Sequence, residues 1–348
     1  MDNLLTLKDI VKYFPSRGSI FGHSGGVVKA VDGVSFSVGS GETFGLVGES
    51  GCGKSTLARI IARLMDPTSG QIIFDNRDIT VLHAKDLRPL RRDMQIIFQD
   101  PYASLNPRMK VGEIIGEALA IHNIASGHKR NKVVKGLIEK VGLSGDSYNR
   151  YPHEFSGGQR QRVCIARVLA LNPRLIIADE PLSALDVSIQ AQIINLLEDL
   201  QREFNLTYLF ISHDLGVVEY ISDRVAVMYL GKIMEIASAE GLYSKPVNPY
   251  TEALLSAIPV PDPKVRKKRI MIGGDMPSPL NPPSGCRFHT RCIYAQELCA
   301  KEEPKLLPVE GHLSACHFPL VNLPSTRKSI PGTSEGIYEE TQDIPDRR

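Results

Sequence analysis

No stretch of the 348 residues reaches the ~18 uninterrupted apolar positions that a membrane-spanning helix needs. An excess of charge of one sign is missing as well: 41 Lys and Arg stand against 39 Asp and Glu. The chain as a whole therefore lacks the basic footprint of a nucleic-acid binder. The start, MDNLLTLKDIVKYF, puts acidic Asp2 ahead of any hydrophobic run and does not read as a secretory leader. A soluble, cytoplasmic chain is the expectation, which leaves docking on a membrane protein open. No internal repeat is visible. Cysteines are few, six in all. Cys52 and Cys164 stand apart, whereas Cys286, Cys292, Cys299 and Cys316 crowd into the last fifth of the chain. In a reducing compartment such crowding suggests metal ligation rather than disulfides.

Apolar residues make up 42% of the chain, enough for one large domain with an appendage or two modest domains. From residue 4 to about 240, short β-rich runs (27–38, 42–47, 71–74, 94–98, 175–178, 208–212 and 224–229) alternate with helical stretches such as 55–64. That alternation predicts an α/β fold with a mostly parallel sheet and helices on its faces. Residues 111–122, 129–141 and 159–171 read as helices with little strand character between them. They predict a helical subdomain, at about 103–170, inserted into a first domain of residues 1–245. From residue 246 proline becomes frequent, which predicts a small, irregular, cysteine-rich C-terminal domain to residue 322. The polar residues 323–348 read as a disordered tail.

Gly48, Glu49, Ser50, Gly51, Cys52, Gly53, Lys54, Ser55 and Thr56 fit the phosphate-loop pattern G-x-x-x-x-G-K-[ST], between a predicted strand and a predicted helix. Glycines let the backbone wrap phosphates and aim N–H groups at them. The helix N-terminus adds partial positive charge. Lys54 would bridge the β- and γ-phosphates of ATP, and the Ser55 hydroxyl would ligate Mg²⁺. Cys52 reads as a small filler, and a bare glycine turn is the alternative for the whole motif. Further on, the apolar run Leu175-Ile-Ile-Ala ends in Asp179 and Glu180. Asp179 can hold Mg²⁺. Glu180 is the candidate general base for the attacking water, a role worth ~10²–10⁴-fold.

Between these two motifs lie Phe155, Ser156, Gly157, Gly158 and Gln159, ahead of a basic helix. Alone, this turn would be only a helix entry capped by Ser156. In this order the motifs resemble the ATP-binding-cassette (ABC) family over roughly residues 4–240, with Phe155 where Leu is usual. The resemblance implies a P-loop ATPase core and further roles. Gln99 (IIFQD) would sense Mg²⁺ and water. The loop ending in Asp186 (SALD, with Leu182 for the usual Thr) would cross to a partner. His213 (FISHD) would contact the γ-phosphate. Phe14 would stack on adenine, with Tyr13 the alternative. It also implies two cassettes facing head to tail, so that the Ser156–Gln159 turn serves ATP bound by the other subunit.

Three further stretches are similar to the ATPase subunits of oligopeptide/dipeptide importers. They are QDPYASLNPR from Gln99, NPYTEALL from Asn248 (many relatives carry His there), and the cysteine-bearing tail to about residue 320. The F-type subunit of the paired ATPases is the nearest match. The resemblance implies two transmembrane permease subunits, a second ATPase that is a paralogue, an extracytoplasmic substrate-binding protein, and a place on the cytoplasmic face of the cell membrane. Nickel, glutathione or oligosaccharide cargo remains an alternative. A soluble cassette acting on ribosomes or DNA fits less well, since the chain has one cassette and no coiled-coil insertion. The tail spacing C-x5-C-x6-C-x16-C lacks the close pair usual for structural zinc. Four thiolates so spaced suit a [4Fe–4S] cluster, to which the family also points, with Zn²⁺ or free thiols as alternatives.

Overall fold

The computed structural model describes residues 2–15, 26–258 and 270–322. The tail expected to be disordered, 323–348, lies outside the described residues. The strands, in chain order, are β1 (Asn3–Pro15), β2 (Val27–Gly39), β3 (Thr43–Val47), β4 (Ser69–Phe74), β5 (Arg77–Asp78) and β6 (Met94–Ile97). They continue with β7 (Leu175–Asp179), β8 (Thr207–Ile211), β9 (Arg224–Tyr229), β10 (Lys232–Ser238), β11 (Leu307–Val309) and β12 (His312–Ser314).

Two sheets result. A four-stranded sheet, ordered β2-β1-β4-β5, is antiparallel throughout. An eight-stranded sheet runs β11-β12-β10-β9-β3-β8-β7-β6. Its half from β9 to β6 is parallel, as the alternation of strands and helices predicts. The other half is antiparallel. The parallel strands β7 and β8 are fully buried and carry apolar residues at nearly every position, the pattern of a sheet covered on both faces. Alternation then divides each strand between two cores. Ile176, Ala178, Tyr208 and Phe210 face one core, and Leu175, Ile177, Leu209 and Ile211 face the other.

A helical insertion separates β6 from β7 along the chain. Val111–Ile121, Gly127–Lys140 and Gly157–Leu169 lie between β6 and β7, which are themselves neighbours in the sheet. The C-terminal residues are mostly irregular, in line with their prolines, but contain a helix Pro249–Ser256 and the β11–β12 hairpin. That hairpin extends the main sheet: Glu235 of β10 pairs with Ser314 and Ile236 with Leu313. Neither β10 nor the hairpin was anticipated from the sequence.

The join is polar and buried. Glu235 has no exposed surface, and its carboxylate accepts from the backbone N–H of Val247 (2.9 Å) and Asn248 (3.1 Å). His312 Nδ1 meets it at 2.7 Å. Asn248 caps the helix Pro249–Ser256 by accepting from Tyr250 N–H at 3.0 Å. Its amide nitrogen donates to Met234 O of β10 at 3.0 Å. A buried carboxylate is tolerable only with partners of this kind.

Candidate nucleotide site

The phosphate loop leaves β3 and opens the helix Lys54–Ile61. Gly53 sits at φ 111°, and a Cβ there would lie 2.2 Å from Ala30 O. No other residue could keep this path. The Lys54 ammonium is folded into the loop, donating to Gly48 O at 2.7 Å and Glu49 O at 3.1 Å. Ser55 Oγ donates to Asp179 Oδ1 at 2.9 Å, so two of the three residues expected at magnesium, the third being Gln99, are adjacent although 124 positions apart. Burial pushes the Asp179 carboxyl above its ordinary range; the Ser55 hydroxyl counters this and the Glu180 charge adds to it. The Cys52 thiol is also raised by burial, which suits an inert filler.

Glu180 follows β7 at φ 48°, a left-handed conformation that costs a non-glycine residue energy and here aims its carboxylate. Gln99 Nε2 donates to Glu180 Oε2 at 2.8 Å. His213 Nδ1 lies 3.3 Å from the same oxygen. Asp214 fixes the histidine loop by capping the next helix, accepting from Gly216 N–H at 2.9 Å. A cavity of about 250 Å³ is bounded by loop residues 50–56, Gln99 and Glu180. It is polar, opens at a helix N-terminus, and has a carboxylate opposite a lysine, an arrangement suited to a phosphorylated ligand and its metal ion.

The Ser156 turn is not part of that cavity wall. Ser156 caps the helix Gly157–Leu169 in a reciprocal box with Gln159: Gln159 N–H reaches Ser156 Oγ (3.4 Å), and Ser156 N–H reaches Gln159 Oε1 (3.0 Å). Ser156, Gly157 and Gln159 are exposed, and Gly158 is buried against Ile189. A Cβ at Gly158 would approach Ile189 Cγ2 to 2.5 Å and push that side chain aside, so glycine lets the turn pack closely here. Asp186 stands at the start of the same helix as Ile189, Val187–Phe204. The turn and the SALD loop thus form one exposed face.

On the adenine side, Phe14 pairs with Val28 in the β1–β2 ladder, and Val28 borders the cavity. Tyr13 turns elsewhere. Its hydroxyl donates to Asp32 Oδ1 at 2.5 Å. Asp32 also binds the buried Arg287 and lies 3.6 Å from Lys232. Burial would raise this carboxyl, but the Tyr13 hydroxyl and the two cations hold it below its usual value.

The four tail cysteines line one small cavity together with Phe288, His289 and His317. Backbone bonds bring them there: Cys286 N–H donates to Cys299 O at 2.7 Å, and β12 leads directly into Cys316. Burial lifts the thiols of Cys286, Cys292 and Cys316, that of Cys292 to about 11 and that of Cys316 to about 12. Both histidines have one ring nitrogen engaged by a backbone carbonyl. Among the described residues, no three His, Cys, Asp or Glu side chains are gathered closely enough to hold a metal ion.

Sequence reasoning missed Arg287, Arg291, Glu235 and His312. Only the placement of Arg287 and Arg291 within the cysteine loop hinted that they matter.

A doubly covered parallel sheet, a phosphate loop beside an Asp-Glu strand end, and an outward-facing Ser-Gly-Gly turn on an inserted helical subdomain define an ABC-type ATPase. Residues 31–183 match the family described as ABC transporter. Residues 234–299 match the family described as oligopeptide/dipeptide transporter, C-terminal region. The oligopeptide transport ATP-binding protein AppF of Bacillus subtilis is 56% identical over 321 residues, covering 91% of this chain and 98% of AppF. Among solved structures, the ATP-binding cassette MJ0796, seen as a post-hydrolysis dimer with ADP and phosphate, superposes with a TM-score of 0.61 at 30% identity. That alignment covers 68% of this chain and 98% of MJ0796. A second, cbiO1 of Clostridium perfringens, part of the cbiONQ transporter complex, gives 0.60 at 27% identity over 70% and 92% of the two chains. The chain belongs to the ABC transporter ATPase family, in the branch that carries the oligopeptide/dipeptide transporter C-terminal region. Among the described residues, no helix is long and apolar enough to cross a membrane.

Proposed function

We propose that this ATPase energises uptake of oligopeptides or dipeptides through two transmembrane permease subunits fed by an extracytoplasmic binding protein. It would work on the cytoplasmic face of the membrane and pair with a second, paralogous cassette. The C-terminal region and the likeness to AppF support the cargo class. The observation that carries the mechanism is the meeting of Gln99 and His213 at one oxygen of Glu180, beside the phosphate loop.

In this reading Lys54 leaves the loop carbonyls to bind the β- and γ-phosphates. Ser55 and Asp179 would hold Mg²⁺, with Gln99 sensing it, and the bound ion would supply charge neutralisation for phosphoryl transfer. Glu180 orients and deprotonates water, and His213 contacts the γ-phosphate. Tyr13 is committed to Asp32, which leaves the Phe14 ring for adenine. Ser156–Gln159 and Asp186 act across the dimer on the partner's ATP, and ATP-driven closure moves the permeases. Residues 1–245 form the ATPase domain and 246–322 the C-terminal domain.

The cysteine centre is proposed to hold a [4Fe–4S] cluster on Cys286, Cys292, Cys299 and Cys316. Four cysteines line one cavity, the ligand number of such a cluster, and their spacing lacks the close pair usual for structural zinc. Such a group would staple an irregular module. The transport reading is tested by tagging the chain in its native host. Permease subunits should co-purify, and deletion should abolish uptake of labelled short peptides. Uptake that continues without the chain while that of another cargo fails would overturn the peptide assignment.

A further inference from the structure

The first cysteine loop reaches the phosphate loop directly. Arg291, next to Cys292, is 9% exposed at its side chain and places Nη1 3.0 Å from both carboxylate oxygens of Glu49. Glu49 immediately follows Gly48, whose carbonyl receives the Lys54 ammonium. Nη1 also donates to Tyr229 Oη at 3.2 Å, and Nε donates to Gly273 O at 3.1 Å. From the other side, Glu49 N–H donates to Tyr250 Oη at 3.2 Å. Met276 lies against Gly51, and Lys29 N–H donates to Pro279 O at 3.0 Å. The segment from Gly273 to Arg291 therefore straps the outside of the nucleotide site.

A carboxylate inside a loop that must receive a triphosphate is an electrostatic liability, because like charges in a partly buried site repel strongly. We propose that Arg291 is a positioning residue of the nucleotide site. Its guanidinium neutralises Glu49 and fixes that side chain, and with it the loop, in the shape that takes phosphate. A planar fork with several donors is suited to this, because it can hold the carboxylate, Tyr229 and Gly273 at once. The C-terminal domain thereby becomes part of the ATP site rather than an appendage to it.

The proposal rests on the phosphate-loop reading, and the test separates the two. ATP affinity of the full chain is measured by calorimetry for Arg291→Met, Glu49→Gln/Arg291→Met and Lys54→Ala, with Tm recorded for each. Arg291→Met should weaken ATP about tenfold or more, and removing the Glu49 charge in the double variant should recover most of that loss. If Arg291→Met binds ATP as wild type does, or the double variant binds no better than Arg291→Met, the proposal fails. If Arg291→Met does not fold, Arg291→Lys carries the test, with an expected loss of about threefold relieved by Glu49→Gln; unchanged affinity overturns it. Lys54→Ala binding as wild type would sink the phosphate-loop reading instead.

Discussion

Gln99 and Glu180 are joined by a 2.8 Å hydrogen bond that ties the entrance of the helical insertion to the end of strand β7. Any movement of the insertion is therefore felt at the carboxylate proposed to activate water. His213 approaches the same oxygen from the end of β8. The two contacts place one carboxylate at the junction of three elements.

Replacing Glu180 by Gln keeps the shape and removes the base. Turnover should fall by ~10²–10⁴-fold while ATP still binds, and the cassette pair should accumulate closed. Steady-state ATPase assays with nucleotide-binding measurements check this. Sustained hydrolysis would remove Glu180 from the role.

Ser156 should matter to a neighbour and not to its own loop. Ser156→Arg places a bulky cation on the exposed face shared with Asp186. In the assembled transporter, hydrolysis should drop by more than about tenfold, the scale of removing an oriented phosphate contact. ATP binding by the isolated chain should persist. Equal loss in both settings would mean that the turn acts in cis.

Asp32→Asn should strip the buried Arg287 of its counter-charge and destabilise the chain by about 3–5 kcal/mol, read as a lowered Tm. The pH dependence has a definite sign. The folded-state carboxyl is held below its ordinary 3.8. Its contribution is complete above the unfolded value and is lost as pH falls through the folded one. Thermal melts of wild type should show this acid loss below about pH 4, and melts of the variant should lack that component. Parallel melting curves in acid would refute the assignment.

Protein purified without oxygen should be brown and carry about four irons per chain, and Cys299→Ser should bleach it. A colourless protein holding one zinc would replace the cluster with a single-ion site.

Motifs whose residues are contiguous were legible in the sequence, because a phosphate loop or an Asp-Glu strand end is set by local backbone geometry. The same holds for the helical insertion, whose apolar period is local. Gln99, His213 and Asp186 could be named through the family likeness. Their meeting could not be derived, because Gln99 lies 81 positions from Glu180 and only the parallel strand order brings them together. Strand β10 was hidden by its own Glu235, which reads as surface until His312, 77 positions away, is seen against it. The hairpin β11–β12 was hidden by shortness and by Pro308. Arg287 and Arg291 looked like solvated charges beside cysteines, and their carboxylate partners lie 255 and 242 positions upstream.

The pairing of β12 with β10 bears on how the chain can be dissected. A truncated chain ending at residue 245, cut to isolate the ATPase domain, would keep β9 on one side of β10 but remove β12 from the other, baring the edge where Glu235 and Ile236 pair with Ser314 and Leu313. It would also leave Glu235 buried without His312. Exposed edges of that kind recruit strands from other molecules. In the intact chain the outermost strand is instead the three-residue β11, interrupted by Pro308, which offers little for another chain to pair with. Forms shortened to residue 245 should therefore aggregate more readily than the intact chain, read as a larger inclusion-body fraction.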